Sequence, residues 1–294
     1  LKLIRITDNG CGIDKEDIKT AFLRHTTSKI KTAIDLLSVS SLGFRGEALS
    51  SIAAVCQVEL LTRTENQLEG ISYRIEGGKE IAFEEIGIPV GTTFIVNNIF
   101  FNTPARRKFL KSAQTEAGYV SEIVEKIALS HPEIAVTFKS NGTTKIHTSG
   151  NGNLKDVIYS VYGRDITKNI IELNAENDFM KISGFIGKAI ISKGNRSFEN
   201  YFINGRYIKS NIISKAIEDG YKFILMQHKY PFTVINFEID QQYLDVNVHP
   251  AKMELRFRKA ESIYPMISET INDALIDRPN IIEVELEKQK EIKE

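Results

Sequence analysis

The sequence predicts an α+β protein in two domains. Three observations point there. Strand patterns at 57–64, 71–76 and 92–98 follow one another instead of alternating with helices. Amphipathic helical patterns occupy separate stretches, the clearest at 115–130. Around 140–168 the succession resets and a new series of strands and helices begins. A chain of 294 residues is long enough for two compact domains, and 42% hydrophobic with 26% charged residues is ordinary globular composition.

The elements follow in order. Leu1-Lys2-Leu3-Ile4-Arg5-Ile6 alternates as a strand. Asp14 is placed to cap a helix over 15–24, with Glu16 and Asp17 adding negative charge to its first turn. Residues 25–45 are rich in Ser and Thr and read as a loop or lid. Leu49, Ile52, Ala53 and Cys56 share one face of the next helix. Gly77-Gly78 is a turn among the strands, and Thr103-Pro104 is a helix start. In the 115–130 helix Val120, Ile123, Val124, Ile127 and Ala128 fall at helical spacing, and His131-Pro132 ends it. Asn141-Gly142 joins two short strands as a hairpin. A helix at 153–162 closes at Gly163. Strands at 170–173, 179–187 and 198–208, a helix at 210–225, a strand at 231–239 and a helix at 260–276 complete the pattern. Within the 198–208 stretch, Asn204-Gly205 marks a second hairpin. The expected domains are 1–160 and 161–280, followed by a charged linker at 281–294.

Charge and cysteine content exclude several classes. Lys+Arg and Asp+Glu both total 38, so bulk charge does not predict a constitutive nucleic-acid binder, and any DNA contact needs a local basic patch. Cys11 and Cys56 are too far apart for a C-x-x-C pair, which argues against a disulfide scaffold or zinc site and suits a reducing compartment. No apolar run approaches membrane-spanning length.

The chemistry-bearing motifs each admit a plainer alternative. In Asp8-Asn9-Gly10-Cys11-Gly12-Ile13 a carboxylate able to accept from a base amine stands beside two glycines that let a ligand approach the backbone. The same residues suit an ordinary turn after a strand. Arg24-His25-Thr26-Thr27-Ser28-Lys29 offers hydroxyls and a cation, as does any solvated loop. Gly43-Phe44-Arg45-Gly46-Glu47-Ala48-Leu49 gives free amides at a helix start, suited to phosphate, or a glycine-capped loop before a core helix. Gly91-Thr92-Thr93 places hydroxyls near a base, or is simply β-branched strand sequence. Arg106, Arg107 and Lys108 form a basic turn that contacts phosphate or remains a solvated surface. Asn247-Val248-His249-Pro250-Ala251-Lys252 presents Lys252 from a stiff loop.

Taken in order, these motifs, with Asn102-Thr103-Pro104-Ala105-Arg106-Arg107-Lys108-Phe109, Asn204-Gly205-Arg206 and Asp245 to Lys252, resemble the amino-terminal ATPase region of the MutL family of DNA mismatch-repair proteins. The resemblance runs from Leu1 to about residue 276. It implies a GHKL-type ATP-binding α/β sandwich followed by a ribosomal-protein-type α/β domain. It implies that Asp8 accepts from the adenine amine, that Gly10 and Gly12 leave room for base and sugar, and that Thr93, or its neighbour Thr92, assists at the base edge. Thr26, Ser28 and Lys29 would lie on a lid, and Gly43, Phe44, Arg45, Gly46, Glu47, Ala48 and Leu49 would wrap the phosphates. Lys252 would reach the terminal phosphate as a catalytic group. DNA contacts, weak and sequence-independent, are expected from Arg106, Arg107, Lys108, Arg206 and Lys209.

The implied function is an ATP-binding and hydrolysing clamp that couples mismatch recognition to downstream repair proteins. It would dimerise with ATP in the full protein and work in the cytoplasm, or in the nucleus if eukaryotic. The rival expectations are another GHKL ATPase, of topoisomerase or kinase type, and a non-enzymatic DNA-binding scaffold. The family's first motif, which holds the general-base Glu and the Mg2+ ligand, is not found in this sequence. It is expected upstream of Leu1, so the chain as written is expected to lack ATPase activity.

Overall fold

The computed structural model describes residues 2–26, 46–245, 256–257 and 260–276. The chain divides into two compact units, Leu1–Ser121 and Glu122–Glu294.

The first unit is built on an antiparallel sheet in the order β1-β5-β2-β3-β4. Its strands are β1 (Leu3–Asp8), β2 (Gln57–Arg63), β3 (Gly70–Glu76), β4 (Lys79–Ile86) and β5 (Gly91–Asn97). Alternation along β2 buries Val58, Leu60 and Thr62 on one face. Two helices, α1 (Ile18–Ala21) and α2 (Ala48–Val55), add Ile18, Ala53 and the adjoining Phe22 and Cys56 to the core with Ile71, Tyr73 and Ile75. Phe22 and Tyr73 meet with ring centroids 5.3 Å apart. The short helix α3 (Pro104–Arg107) begins at proline, as expected, but Thr103 makes no side-chain cap. The Gly77-Gly78 turn has φ of 56° and 81°, the left-handed geometry that favours glycine and matches strand twist.

Two expectations for this unit are corrected. The helix placed over 15–24 is the single turn α1, and Asp14 does not cap it. Asp14 Oδ1 instead accepts from the Thr64 hydroxyl at 3.1 Å. The charged segment Lys79–Ile86, assigned to no element from sequence, is the edge strand β4. Three of its glutamates pair outward, Glu80 with Lys19, Glu84 with Arg74 and Glu85 with Lys15.

Helix α4 (Ala113–Ser130) contains the boundary between the units. Of the stripe expected on it, Ala128 is buried with Leu129, while Ile123 is exposed. The second unit then gives the hairpin β6 (Thr137–Ser140) and β7 (Thr143–His147), helices α5 (Leu154–Tyr162) and α6 (Arg164–Thr167), and a second five-stranded sheet. That sheet comprises β8 (Ile170–Glu176), β9 (Met180–Gly187), β10 (Glu199–Ile203), β11 (Arg206–Tyr207) and β12 (Thr233–Ile239), ordered β11-β10-β12-β9-β8. Only β10 and β12 are parallel neighbours within it. One face is covered by α7 (Asn211–Gly220) and α8 (Ala260–Ile276), which bury Ile213, Ile217, Ile263 and Ile267 against Ile182, Ile235 and Phe237.

The other face receives Ala128, Leu129, Val157 and Ile158 against Phe202, Phe232 and Val234. The chain division falls at Ser121/Glu122 and not at 160/161, and Ala128, Leu129, Val157 and Ile158, all before residue 161, belong to this second core. Asn153 caps α5 by accepting from the Lys155 amide, and Gly163, at φ 81°, ends it. Among the described residues, no helix is long and apolar enough to cross a membrane. The expected linker at 281–294 lies outside them.

Candidate functional site

The Asp8–Asp14 segment folds over the ends of β2 and β5. Asp8 closes β1 and stands opposite Thr92 of β5, which stands opposite Thr62 of β2. Directly opposed residues of antiparallel strands share a face, so Asp8, Thr92 and Thr62 form one row. The face is the one that carries Val58 and Leu60 and is packed by α2. Thr93 faces the other way, its hydroxyl donating to Thr7 at 3.1 Å. Thr92 is therefore the hydroxyl beside Asp8.

Thr62 is fully buried and holds the loop in place. Its Oγ1 accepts from the Ile13 amide at 2.8 Å, donates to the Gly91 carbonyl at 3.2 Å and lies 3.4 Å from Thr92 Oγ1. Thr64 continues the attachment through Asp14. Sequence reading passed over both threonines. The available signal was a hydroxyl at the inward positions of a strand whose preceding inward residues are Val58 and Leu60.

The glycines of the loop are fixed by close backbone approach. Gly12 has φ 79°, and a Cβ there would fall 2.2 Å from the Arg63 carbonyl oxygen. At Gly91 a Cβ would fall 2.3 Å from the Asp8 carbonyl oxygen. The Gly10 amide donates to Asp8 Oδ1 at 2.9 Å, which orients the exposed carboxylate and leaves Oδ2 available to a ligand.

The base of the expected lid is built from its two ends. The His25 amide donates to the Gly46 carbonyl at 3.1 Å, and His25 Nδ1 lies 3.2 Å from Glu47 Oε1. Gly46, at φ 62°, admits no side chain, because its Cβ would meet the Thr26 carbonyl oxygen at 2.1 Å. The Thr26 hydroxyl is turned toward the Thr20 and Leu23 carbonyls at 2.7 and 2.8 Å. Glu47 precedes α2 without making a side-chain cap, and Ala48 and Leu49 begin the helix. Leu49 packs against the core beneath. The expected site residues Ser28, Lys29, Gly43, Phe44 and Arg45 lie outside the described residues.

Lys252 also lies outside them. The strands on either side of its segment, β13 (Leu244–Asp245) and β14 (Arg256–Phe257), pair antiparallel and join its ends within the second unit. Leading into β13, the strand β12 is clamped by Asn204. The Asn204 Nδ2 donates to the Ile239 carbonyl and its Oδ1 accepts from the Ile239 amide, both at 2.9 Å.

The five cations expected to contact DNA are divided between the units. Arg106, Arg107 and Lys108 are exposed on and after α3 in the first, and Arg206 and Lys209 follow the Asn204-Gly205 turn in the second. Lys209 is exposed, whereas Arg206 is half-buried and burial lowers its pKa from the ordinary value.

Comparison with known proteins adds to this geometry. Residues 158–276 match a family model described as DNA mismatch repair protein, C-terminal domain. The chain is 58% identical over 284 residues to DNA mismatch repair protein MutL of Agathobacter rectalis, covering 97% of this chain and 44% of that protein. It spans less than half the length of the curated relatives it matches. Among solved structures, the Aquifex aeolicus MutL ATPase domain complexed with ADP has a TM-score of 0.60 and 28% identity, covering 81% of this chain and 80% of that one. The N-terminal domain of a DNA repair protein has a TM-score of 0.74 at 22% identity, covering 92% and 84%, a likeness of fold alone.

Proposed function

The chain belongs to the MutL family of DNA mismatch-repair proteins, and from that membership we propose that it carries the adenine-nucleotide site of an ATP-driven switch in mismatch repair. One observation carries the reading: Asp8, Thr92 and Thr62 stand in a single cross-strand row beneath a glycine loop that excludes side chains. A carboxylate with one oxygen held by Gly10 and the other available is suited to accept from the exocyclic amine of adenine. Thr92, on the same face, is suited to the base edge. Thr93, which faces away, is left out of the site. Gly10, Gly12 and Gly91 let the base and sugar approach the backbone.

The amides at the start of α2, from Gly46 to Leu49, would take the phosphates at a helix N-terminus, where partial positive charge favours anions. Thr26, Ser28, Lys29, Gly43, Phe44 and Arg45 are assigned to the lid, and Lys252 to the terminal phosphate. That contact exists only with the triphosphate, so it would couple the second unit to hydrolysis. Magnesium would neutralise the phosphate oxygens. Among the described residues no group of three His, Cys, Asp or Glu side chains is arranged to hold a metal ion, and no step is assigned to it. DNA, mismatch-recognition and downstream repair proteins, and a second copy of the whole protein with ATP bound are the proposed partners, in the cytoplasm.

Asp8→Asn and Asp8→Ala test the site. Losing a hydrogen bond to an ionised group is worth about 1.5–3 kcal/mol, so ATP and ADP affinities should both fall by roughly ten- to a hundredfold in the alanine variant. Asparagine should keep part of the affinity through its amide oxygen. Isothermal titration of both nucleotides measures this, and affinities unchanged in both variants would remove Asp8 from the site.

A further inference from the structure

The loop 221–231, between α7 and β12, forms a basic and apolar surface that the nucleotide site does not use. Phe223 and Met226 are 87% and 81% exposed. Lys222, His228 and Lys229 stand around them, all exposed, and among the described residues none of the three is ion-paired. Lys222 Nζ lies 5.8 Å from the centre of the Phe223 ring. The acidic neighbours are already engaged: Glu218 pairs with Arg196 at 2.5 Å, and Asp219 accepts from the Tyr264 hydroxyl. The loop is fixed in place. The Ile224 and Leu225 amides donate to the Tyr221 carbonyl at 2.8 and 3.0 Å, and the Lys229 amide donates to the Met226 carbonyl at 3.2 Å. Tyr230 and Lys193 exchange backbone hydrogen bonds at 2.8 and 2.9 Å, and the Tyr221 hydroxyl donates to the Gly187 carbonyl at 2.6 Å. These last attachments hold the segment 187–193 alongside, which adds Ile190, 77% exposed. Within the surface lies a cleft of about 260 Å³ whose lining includes Tyr221, Leu225, Met226, His228 and Tyr230.

We infer that this surface is covered by the chain's own segment 281–287, which acts as a strap over it. In that segment Ile282, Val284 and Leu286 alternate with Glu283, Glu285 and Glu287. An extended segment with this alternation carries apolar side chains on one side and carboxylates on the other. The apolar side complements Phe223, Met226 and Ile190, with room in the cleft for one side chain, and removing these groups from water favours the contact. The carboxylates complement Lys222 and Lys229, whose long stems let the ammonium groups reach past the apolar pair. Charge also places the contact within the tail. The stretch 281–287 holds three glutamates and no cation, whereas 288–294 holds Lys288, Lys290 and Lys293. The tether is long enough. The Asn272 side chain donates to the Gly220 carbonyl at 3.3 Å, next to the start of the loop, and α8 ends one turn later at Ile276. Residues 277–281 extend up to about 17 Å, which spans the return. Tethering keeps the segment at high local concentration, so individually weak contacts suffice. Other anionic partners then meet Phe223 and Met226 only when the strap leaves.

The chain contains no tryptophan, so Leu286→Trp supplies a single indole on the strap of the 294-residue chain. Its emission should lie at shorter wavelength than that of tryptophan in water, and acrylamide should quench it less. Adding Lys222→Glu and Lys229→Glu turns attraction into repulsion and should weaken docking by about tenfold or more, moving the emission toward the water value. Adding Phe223→Ser and Met226→Ser instead should do the same through lost apolar contact. High salt should weaken docking in the parent background and not in the charge-reversed one. All four substituted positions are exposed, so thermal unfolding of these variants should match that of the Leu286→Trp chain. Emission and quenching equal to those of free tryptophan would overturn the strap and leave the surface to a separate partner. A shifted emission unmoved by either pair of substitutions would overturn its placement on this loop. A shift that grows with protein concentration would assign the contact to a second copy and overturn the intramolecular strap.

Discussion

Alanine at Gly12 is expected to abolish the nucleotide site, whereas alanine at Gly78 is expected to leave it intact. The two glycines share a backbone conformation, φ 79° and 81°, so both substitutions incur the same left-handed penalty of about 1–2 kcal/mol. Their surroundings differ. A Cβ at Gly78 meets nothing within 4 Å, while at Gly12 it lands 2.2 Å from the Arg63 carbonyl oxygen and 2.6 Å from its carbon. These are backbone atoms of a central strand and cannot rotate away. Relief requires the Asp8–Asp14 loop to lift from β2, which breaks the Ile13 to Thr62 hydrogen bond and moves Asp8 out of its row. Overpacking adds roughly 1–3 kcal/mol, so the Gly12 variant should lose about twice as much unfolding free energy as the Gly78 variant, or more. Its ATP affinity should fall by at least about tenfold. Urea unfolding and nucleotide titration of the two variants measure both effects. Equal stability losses with ATP affinity retained would show that the loop is not held against β2.

The second large effect concerns Glu199, at the start of β10. Its side chain is 2% exposed, and neither carboxylate oxygen has a hydrogen-bond partner in good geometry. Burial pushes its pKa up to about 8, and the nearby charge of Glu218 pushes the same way. Arg196 and the Ser214 hydroxyl oppose the shift without cancelling it. Arg196 is 4.0 Å from Glu199 but 2.5 Å from Glu218, with which it is paired.

The sign follows from proton binding. Below the ordinary value of 4.5 both folded and unfolded chains are protonated here, and there is no penalty. Between 4.5 and about 8 the unfolded chain releases the proton while the folded chain keeps it, so stability falls as pH rises. Above about 8 the folded chain carries the buried charge and the penalty is complete. Glu199→Gln removes this term. The variant should be more stable than the parent at pH 8.5, by on the order of a few kcal/mol, and the gap should close toward pH 4.5. Denaturant unfolding across that range reads the gap, and parallel pH profiles for the two proteins would refute the assignment.

Much of the fold was legible because local chemistry agrees with the tertiary outcome. Asn141-Gly142 and Asn204-Gly205 turn where their left-handed residues require, and Asn153 and Gly163 bound α5. Edge strand β4 was not legible because its glutamates are poor strand formers, and two of them, Glu80 and Glu85, pair with lysines more than sixty positions away. Helix α1 is shorter than its pattern because Asp14 bonds to Thr64, fifty positions away. At the site, the residue types and glycine spacing were readable. Which threonine faces Asp8 was not, because facing depends on register, and adjacent residues of a strand point to opposite sides. Thr62 was missed for a related reason: its role lies in pinning a loop that is remote in sequence.

The Asn204 clamp bears on chemical ageing. An Asn-Gly pair degrades when the glycine nitrogen attacks the asparagine side-chain carbonyl and expels ammonia, a reaction that needs the amide free to rotate. At Asn204 both ends of that amide are engaged by the Ile239 backbone, so rotation must first break two hydrogen bonds. Asn141, exposed at the tip of the β6–β7 hairpin, has no such restraint among the described residues. Water then opens the resulting cyclic imide to isoaspartate or aspartate, and this conversion should run faster at Asn141 than at Asn204, so the turn that anchors the end of β12 keeps its original chemistry longer.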